Sequence, residues 1–391
     1  MEKLEQVIKM VQDGKSREQI QDATGLSMWK TRQLITQART IISSGANTKD
    51  VSVDALDQIK VDQQLAKLRS AKTKTESKYA RLVEELNKKE ESITEIIELS
   101  KNVHDTKPIR IKVDRGDTDS HSTAFIVASD WHLEEVVNPK TVEGVNDFNL
   151  AIAIDRVNRM WRNGLKLIEM TRSKSRIDTL VVPLLGDLMA GYIHEELLES
   201  NSLSPIQSAL KIFELVSSGI DFLLENGGFS RIVVPCCIGN HGRTTQKPKV
   251  STANINSYEW LIYNFLASRY MNNPKVIFRV ADGYFSYLEV YNMTIRFHHG
   301  DGIRYNGGVG GVHIPLNKAI AQWNKFNHAD LDVLGHWHCR MSGSDYVVNG
   351  SVVGYNAYSI RIKADFQPPC QSFFLIHPNK GKTVEAPIYV T

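Results

Sequence analysis

Apolar residues at the start of the chain recur with helical spacing. Leu4, Val7, Ile8 and Val11 fall at i, i+3, i+4 and i+7, one face of a helix, and Gly14 supplies a stop. Ser16 with Gln19 has the form of a capping box, opening a short helix through Ile20 and Ala23 that ends at Gly25. Ser27 caps a third helix whose expected inner face is Met28, Leu34, Ile35, Ala38 and Ile42. From Ala46 to Lys107 there is neither Gly nor Pro. Within that span Leu65, Leu68, Tyr79, Leu82, Leu86, Ile93 and Ile96 occupy a and d positions of one heptad register, with Lys72, Thr75 and Lys89 in the remaining slots. The pattern predicts a long helix over 48–107. Its 55–104 portion fits a coiled coil joining two copies, or a single amphipathic helix lying on its own chain. Residues 108–121, with Pro108, Gly116 and several Asp and Ser, read as a linker.

Beyond Ser122 the pattern changes, and apolar strands alternate with helical segments. Strands are expected at 124–128, 180–185, 231–237, 276–280, 294–298 and 331–334, and helices at 150–170, 205–224, 259–270 and 316–326. Strands separated by helices predict an α/β layered domain over 122–391.

Composition narrows the class without naming a function. The chain has 391 residues, 42% hydrophobic and 23% charged, which is ordinary for a globular protein with more than one core. No apolar run approaches the roughly 18 residues needed to cross a bilayer, and the start lacks the apolar core of a signal peptide, so a cytoplasmic protein with no membrane role is expected. Four Cys, with Cys236 and Cys237 adjacent in an apolar stretch and no CxxC pair, fit a reducing compartment. A net charge of +3 identifies no partner, but its placement matters. No Asp or Glu occurs from Ala23 to Lys49, so the third helix offers Trp29, Lys30, Arg32, Gln33, Thr36, Gln37 and Arg39 on a face suited to phosphate and base contacts. Two helices, a tight Gly turn and a third helix over 1–47 resemble a helix-turn-helix unit, which implies DNA as partner. A small three-helix protein-binding module fits the same pattern.

The chemistry lies in the polar residues that end the predicted strands. In order these are Asp130-Trp131-His132, Gly186-Asp187, Gly239-Asn240-His241, His299-Gly300 and Gly335-His336-Trp337-His338. Carboxyl ends of strands in α/β sheets are where sites assemble, so five such endings can converge on one crevice. Asp130 and His132 stand at i and i+2, as do His336 and His338, and on continuing strand geometry each pair would point to one side. Carboxylate, imidazole and amide oxygen form a mixed donor set suited to Mn²⁺, Fe²⁺ or Zn²⁺, whereas Mg²⁺ or Ca²⁺ favours an all-oxygen cage. A lone DxH carries little information; the ordered set is the signal.

That series resembles the calcineurin-like metallophosphoesterase superfamily, whose pattern is DxH, GD, GNH, H and GHxH. Within it, the pattern is most similar to the nuclease branch typified by SbcD and to metallophosphoesterases encoded by bacteriophages. The protein phosphatase branch expects DRG after its GD, whereas Leu188, Met189 and Ala190 follow Asp187 here. The resemblance implies a layered β-sandwich flanked by helices and two divalent ions, Mn²⁺ favoured, with Fe²⁺, Zn²⁺ or Mg²⁺ as alternatives. Asp130, His132 and His338 would hold one ion, Asp187 would bridge both, and Asn240, His299 and His336 would hold the other. His241 would stand over the phosphate as a catalytic group. The adjacent His298 competes for the ligand position, and the HG pairing of the family favours His299. The family usually carries an acid after GNH; here Gly242 and Arg243 follow, and Arg243 is expected to contact phosphate instead.

The activity implied is hydrolysis of DNA phosphodiesters, exonucleolytic cleavage being favoured, with an ATPase of the SbcC kind as an expected partner. The same site would also serve a small nucleotide or a phosphomonoester. A third reading is a DNA-binding regulatory protein whose phosphoesterase domain is inert.

Overall fold

The structure, a computed structural model, describes residues 2–43, 65, 68–78, 80–81, 83–84, 87, 110–111, 121–193, 195–304 and 311–391. The chain divides into two compact units, residues 1–94 and 95–391.

In the first unit α1 (Glu2–Gln12), α2 (Arg17–Thr24) and α3 (Met28–Ser43) pack around Val7, Ile8, Ile20, Ile35, Ala38 and Ile41. The capping box is reciprocal: the Gln19 N–H donates to Ser16 Oγ at 3.3 Å and the Ser16 N–H to Gln19 Oε1 at 2.9 Å. Gly25 ends α2 at φ 64°, a left-handed position that costs glycine little. The inner face of α3 is rotated from the expected one. Thr31 and Ile41 are buried, while Met28 and Ile42 are exposed. Thr31 tolerates burial because its hydroxyl donates to the Ser27 carbonyl at 3.1 Å. Trp29, Lys30, Arg32, Gln33 and Arg39 all face solvent. Residues 68–78 are helical, with Leu65 and Leu68 exposed; the heptad positions Tyr79, Leu82, Leu86, Lys89, Ile93 and Ile96 lie outside the described residues.

The second unit holds two six-stranded sheets. One has the order β12-β11-β2-β3-β4-β5, from β2 (Thr123–Ile126), β3 (Thr179–Val181), β4 (Arg231–Cys236), β5 (Val276–Val280), β11 (Cys370–His377) and β12 (Gly381–Tyr389). The other has the order β1-β6-β7-β8-β10-β9, from β1 (Arg110–Ile111), β6 (Ser286–Val290), β7 (Met293–Phe297), β8 (Leu331–Leu334), β9 (Met341–Ser342) and β10 (Tyr346–Val348). β1 falls inside the stretch expected to be linker and pairs with β6. The helices are α4 (Leu150–Arg172), α5 (Glu195–Ser200), α6 (Pro205–Asn226), α7 (Tyr258–Tyr270), α8 (His313–Trp323) and α9 (Ala357–Ile362).

Burial on both faces explains why the central strands read as continuous apolar runs. On β2, Phe125 points between the sheets and stacks on Phe374 at 4.4 Å, within a layer that includes Val181, Val233, Ile295, Phe297 and Val333. Its neighbours Ala124 and Ile126 point the other way, into the core shared with α4, α6 and α7. On the second sheet Leu316 and Ile320 of α8 pack against Leu334 and Val348. The α/β layers are therefore a two-sheet sandwich flanked by helices.

Trp161 of α4 occupies the space that a side chain at Gly219 of α6 would need: a Cβ there would lie 2.1 Å from the indole. Ala exceeds Gly in helix propensity by about 1 kcal/mol, but overpacking a close-packed core costs about 1–3 kcal/mol and moves Trp161 with it. Gly219→Ala is expected to lower the urea midpoint of the second unit; an unchanged or raised midpoint would show that the two helices are free to part.

Candidate metal centre

Each motif sits where a strand ends. β2, β3 and β4 run parallel in one sheet, and β7 and β8 run parallel in the other. Their carboxyl ends bring three groups together, Asp130 with His132 and His338, Asp187 with His299 and His336, and His132 with Asp187 and His241, the ligand atoms of each lying within 4.8 Å of one another. Asn240 joins the second group, its Oδ1 3.2 Å from His299 Nε2. All the residues expected to hold metal thus converge. Asp187 belongs to two groups, and so does His132, because His241 also comes within ligand reach.

The shared side of Asp130 and His132 does not come from strand geometry, since β2 stops at Ile126. Asp130 (φ 54°), His132 (46°), Asp187 (50°), His336 (73°) and His338 (56°) all lie in the left-handed region, and among the described residues only Glu143, Tyr291 and Lys363 join them outside glycine. Such positions cost about 1–3 kcal/mol each and persist only where surrounding structure holds them. The motif turns are thus strained for the sake of side-chain direction.

Hydrogen bonds over-determine these turns. The His336 N–H donates to both Asp130 oxygens at 3.0 and 3.1 Å, and Ser129 Oγ donates to the same carboxylate. The His241 N–H donates to Asp187 Oδ1 at 2.7 Å. His299 Nδ1 donates to the Leu185 carbonyl at 2.7 Å, turning Nε2 toward Asp187 Oδ2 at 2.9 Å. Backbone carbonyls that fix the far nitrogen of an imidazole are the usual outer support of a metal ligand. Gly186 and Gly239 let two of the turns touch backbone to backbone: a Cβ on Gly239 would stand 2.1 Å from Asp187 Oδ1.

Ionisation follows from this crowding. Burial, reinforced by Asp187, pushes Asp130 up to about 7. Burial also opposes charge on Asp187, but His299 and His241 hold it well below the usual carboxylate range. Burial favours neutral His336, down to about 4, and neutral His338, down to about 3. Neutral imidazole is the ligating form; His299 differs, since burial opposes its charge but Asp187 raises it well above the usual histidine range, a proton that a bound metal would have to displace.

The donor set fits metal. His132 Nε2 faces His338 Nε2 at 3.1 Å, and His336 Nδ1 faces His299 Nε2 at 3.3 Å. Ring nitrogens aimed at ring nitrogens in a buried site, beside two carboxylates, are what cation ligands look like. Asp130, His132 and His338 would hold one divalent ion, Asn240, His299 and His336 a second, with Asp187 between.

Three further residues complete the surroundings: Arg243, His298, which stands aside as the favoured reading has it, and Glu259, which the sequence reading missed. Arg243 ties its own loop together, donating to the carbonyls of Asn240 at 2.9 Å, Thr245 at 3.1 Å and Gln246 at 3.4 Å, and also lines the pocket beside Asn240. His298 is set aside from the ligands, beside Asp332 at 3.3 Å and among Tyr284, Phe285 and Trp323. Glu259, at the start of α7, is fully buried beneath the turns, and burial with Asp187 nearby pushes its carboxyl up to about 8. No motif marks it. The centre opens to a cleft of about 600 Å³ that Tyr358 and Arg361 of α9 also line.

No protein-family model matches the sequence, and no curated protein matches it. Among solved structures the chain is similar to Vps29 from Entamoeba histolytica (12% identity, 68% of this chain and 98% of that one, TM-score 0.29). It is also similar to a predicted phosphoesterase from Streptococcus pneumoniae (11% identity, 68% and 98%, TM-score 0.26) and to a hypothetical protein from Pyrococcus horikoshii (9%, 68% and 88%, TM-score 0.34). Similarity this slight says nothing of activity.

Asp187 falls within ligand reach both of His132 with His241 and of His299 with His336, and a carboxylate placed between two ions would belong to both, so Asp187→Asn is expected to cut the number of Mn²⁺ ions bound, read by calorimetry, to at most one. Unchanged stoichiometry would show that the two groups do not share a carboxylate.

Proposed function

We propose that the second unit is a dinuclear metal-dependent phosphodiesterase and that its substrate is DNA, cleaved from an end. The observation that carries the catalytic reading is one buried carboxylate, Asp187, common to two histidine-rich ligand groups at the floor of an open cleft. Two bound divalent ions would supply Lewis acidity and an activated water at neutral pH. The chain's own residues supply the rest. His241 Nδ1 donates to the Ala190 carbonyl at 2.7 Å, which fixes the ring and leaves Nε2 as the nitrogen that, in the protonated ring, would serve as acid or stabilise charge on the phosphoryl group. Arg361, which lines the cleft, offers a guanidinium to a flanking phosphate.

DNA is favoured over other phosphodiesters because the same chain carries a three-helix unit with an exposed, acid-free third helix. Trp29, Lys30, Arg32, Gln33 and Arg39 are its proposed contacts. Pairing of two copies through 55–104 and work with an SbcC-like ATPase belong to the same proposal. A second reading, hydrolysis of a small nucleotide, draws support from a pocket of about 410 Å³ that borders Asn240 and is lined by Tyr284, Phe285 and Trp323, a setting for a base.

Purified protein with Mn²⁺ is expected to degrade end-labelled linear DNA, to spare closed circles, and to lose both metal response and cleavage in Asp187→Asn. Intact DNA beside hydrolysis of a small model phosphodiester would transfer the assignment to the second reading. Replacing Lys30 and Arg32 by Ala is expected to weaken DNA binding and to lower the slope of log affinity against log salt by about 1 for each phosphate no longer neutralised; an unchanged slope would remove α3 from the interface.

A further inference from the structure

Glu259 belongs to none of the ligand motifs, yet its carboxyl group is buried against the turns that carry two of them. The Leu188 N–H donates to Glu259 Oε1 at 2.7 Å, and the Gly239 N–H donates to Oε2 at 2.7 Å. Leu188 follows the shared ligand Asp187, and Gly239 precedes the ligand Asn240. One carboxylate therefore clamps the two turns whose backbones touch at Gly186 and Gly239. The chain is folded back to deliver it: the Tyr258 N–H donates to the Gly242 carbonyl at 2.8 Å, Arg243 bridges to Ser257, and Ser257 Oγ accepts from the Glu259 N–H at 3.2 Å as it caps α7.

Gly242 completes the fit. A Cβ there would lie 2.7 Å from Glu259 Cγ and 3.0 Å from Cδ. The position after His241 thus has no side chain in just the place where the Glu259 carboxylate enters. We propose that Glu259 is the positioning residue of the metal centre, holding the Asp187 and Asn240 turns at ligating distance from across the fold, and that Gly242 is glycine to admit it. The proposal rests on the two-ion reading above. Physically, removal of the carboxylate strands two buried N–H groups and frees the turns, which carry strained ligands, to separate.

The test is Mn²⁺ calorimetry on the full chain, alongside melting of the metal-free protein. Wild type is expected to bind two ions. Glu259→Ala is expected to lose about 10–100-fold in Mn²⁺ affinity, the usual cost of an outer-shell support, and Glu259→Gln, which keeps one acceptor oxygen, to lose less. Gly242→Asp combined with Glu259→Ala puts a carboxylate into the vacated space from the other side, and is expected to recover most of the lost affinity. Two ions bound with wild-type affinity in Glu259→Ala, or a double variant no better than that single one, would overturn the proposal while leaving the metal centre intact. Collapse of the metal-free fold in Glu259→Ala that the double variant does not repair would make the side chain a packing element and overturn it too. Absence of Mn²⁺ binding by wild type would remove the two-ion reading and this proposal with it.

Discussion

A carboxylate buried away from water must be surrounded by partners or give up its charge, and Asp187 keeps its charge. It does so with an N–H donated by His241 on one oxygen and His299 Nε2 on the other. Everything that converges on the cleft is arranged about that requirement. β3 delivers Asp187, β4 delivers the turn whose backbone bonds to it, and β7 delivers the imidazole that faces it. The two sheets meet at this carboxylate because their parallel strands end there.

Strain and support are matched at the site. Five candidate ligand residues sit at positive φ, a conformation that side-chain-bearing residues avoid, and each lies in a turn held by buried hydrogen bonds or by backbone packed against backbone. Asp130 is gripped by the His336 amide from the other sheet, so strain in two turns is offset by one shared interaction. Glu259 plays the corresponding part for the turns of β3 and β4. Rigid sandwich layers on either side make such over-determination possible, since neither sheet can yield to relax a turn.

The residues that converge on the cleft are legible in the sequence because their motifs fall beyond strand endings in an order that is itself improbable. Strands such as β3 and β4 are legible because burial on both faces leaves them nearly apolar, whereas β11, equally buried, escaped notice, with Gln371 and Ser372 among its residues. β12 is not legible, since its exposed positions interrupt any alternation, and β6 alternates buried and half-buried positions, with Glu289 among its residues. The face of α3 differs from its sequence pattern because Thr31 is polar but satisfied in place by a local carbonyl. The loop carbonyls that take three of the five N–H donors of Arg243 leave no trace in the sequence. Glu259 is hidden for a deeper reason: in YEWLIY it is one acid near a helix start, indistinguishable from a charge that favours the helix dipole. Only the absence of an acid after His241 hints that one must come from elsewhere.

The most direct test of the account is an anomalous difference map from crystals of the protein grown with Mn²⁺. Two peaks are predicted about 3.5–4 Å apart, the spacing of two-metal sites, one beside Asp130, His132 and His338, the other beside Asn240, His299 and His336, with Asp187 touching both. A single peak, or two peaks that do not share Asp187, would contradict it.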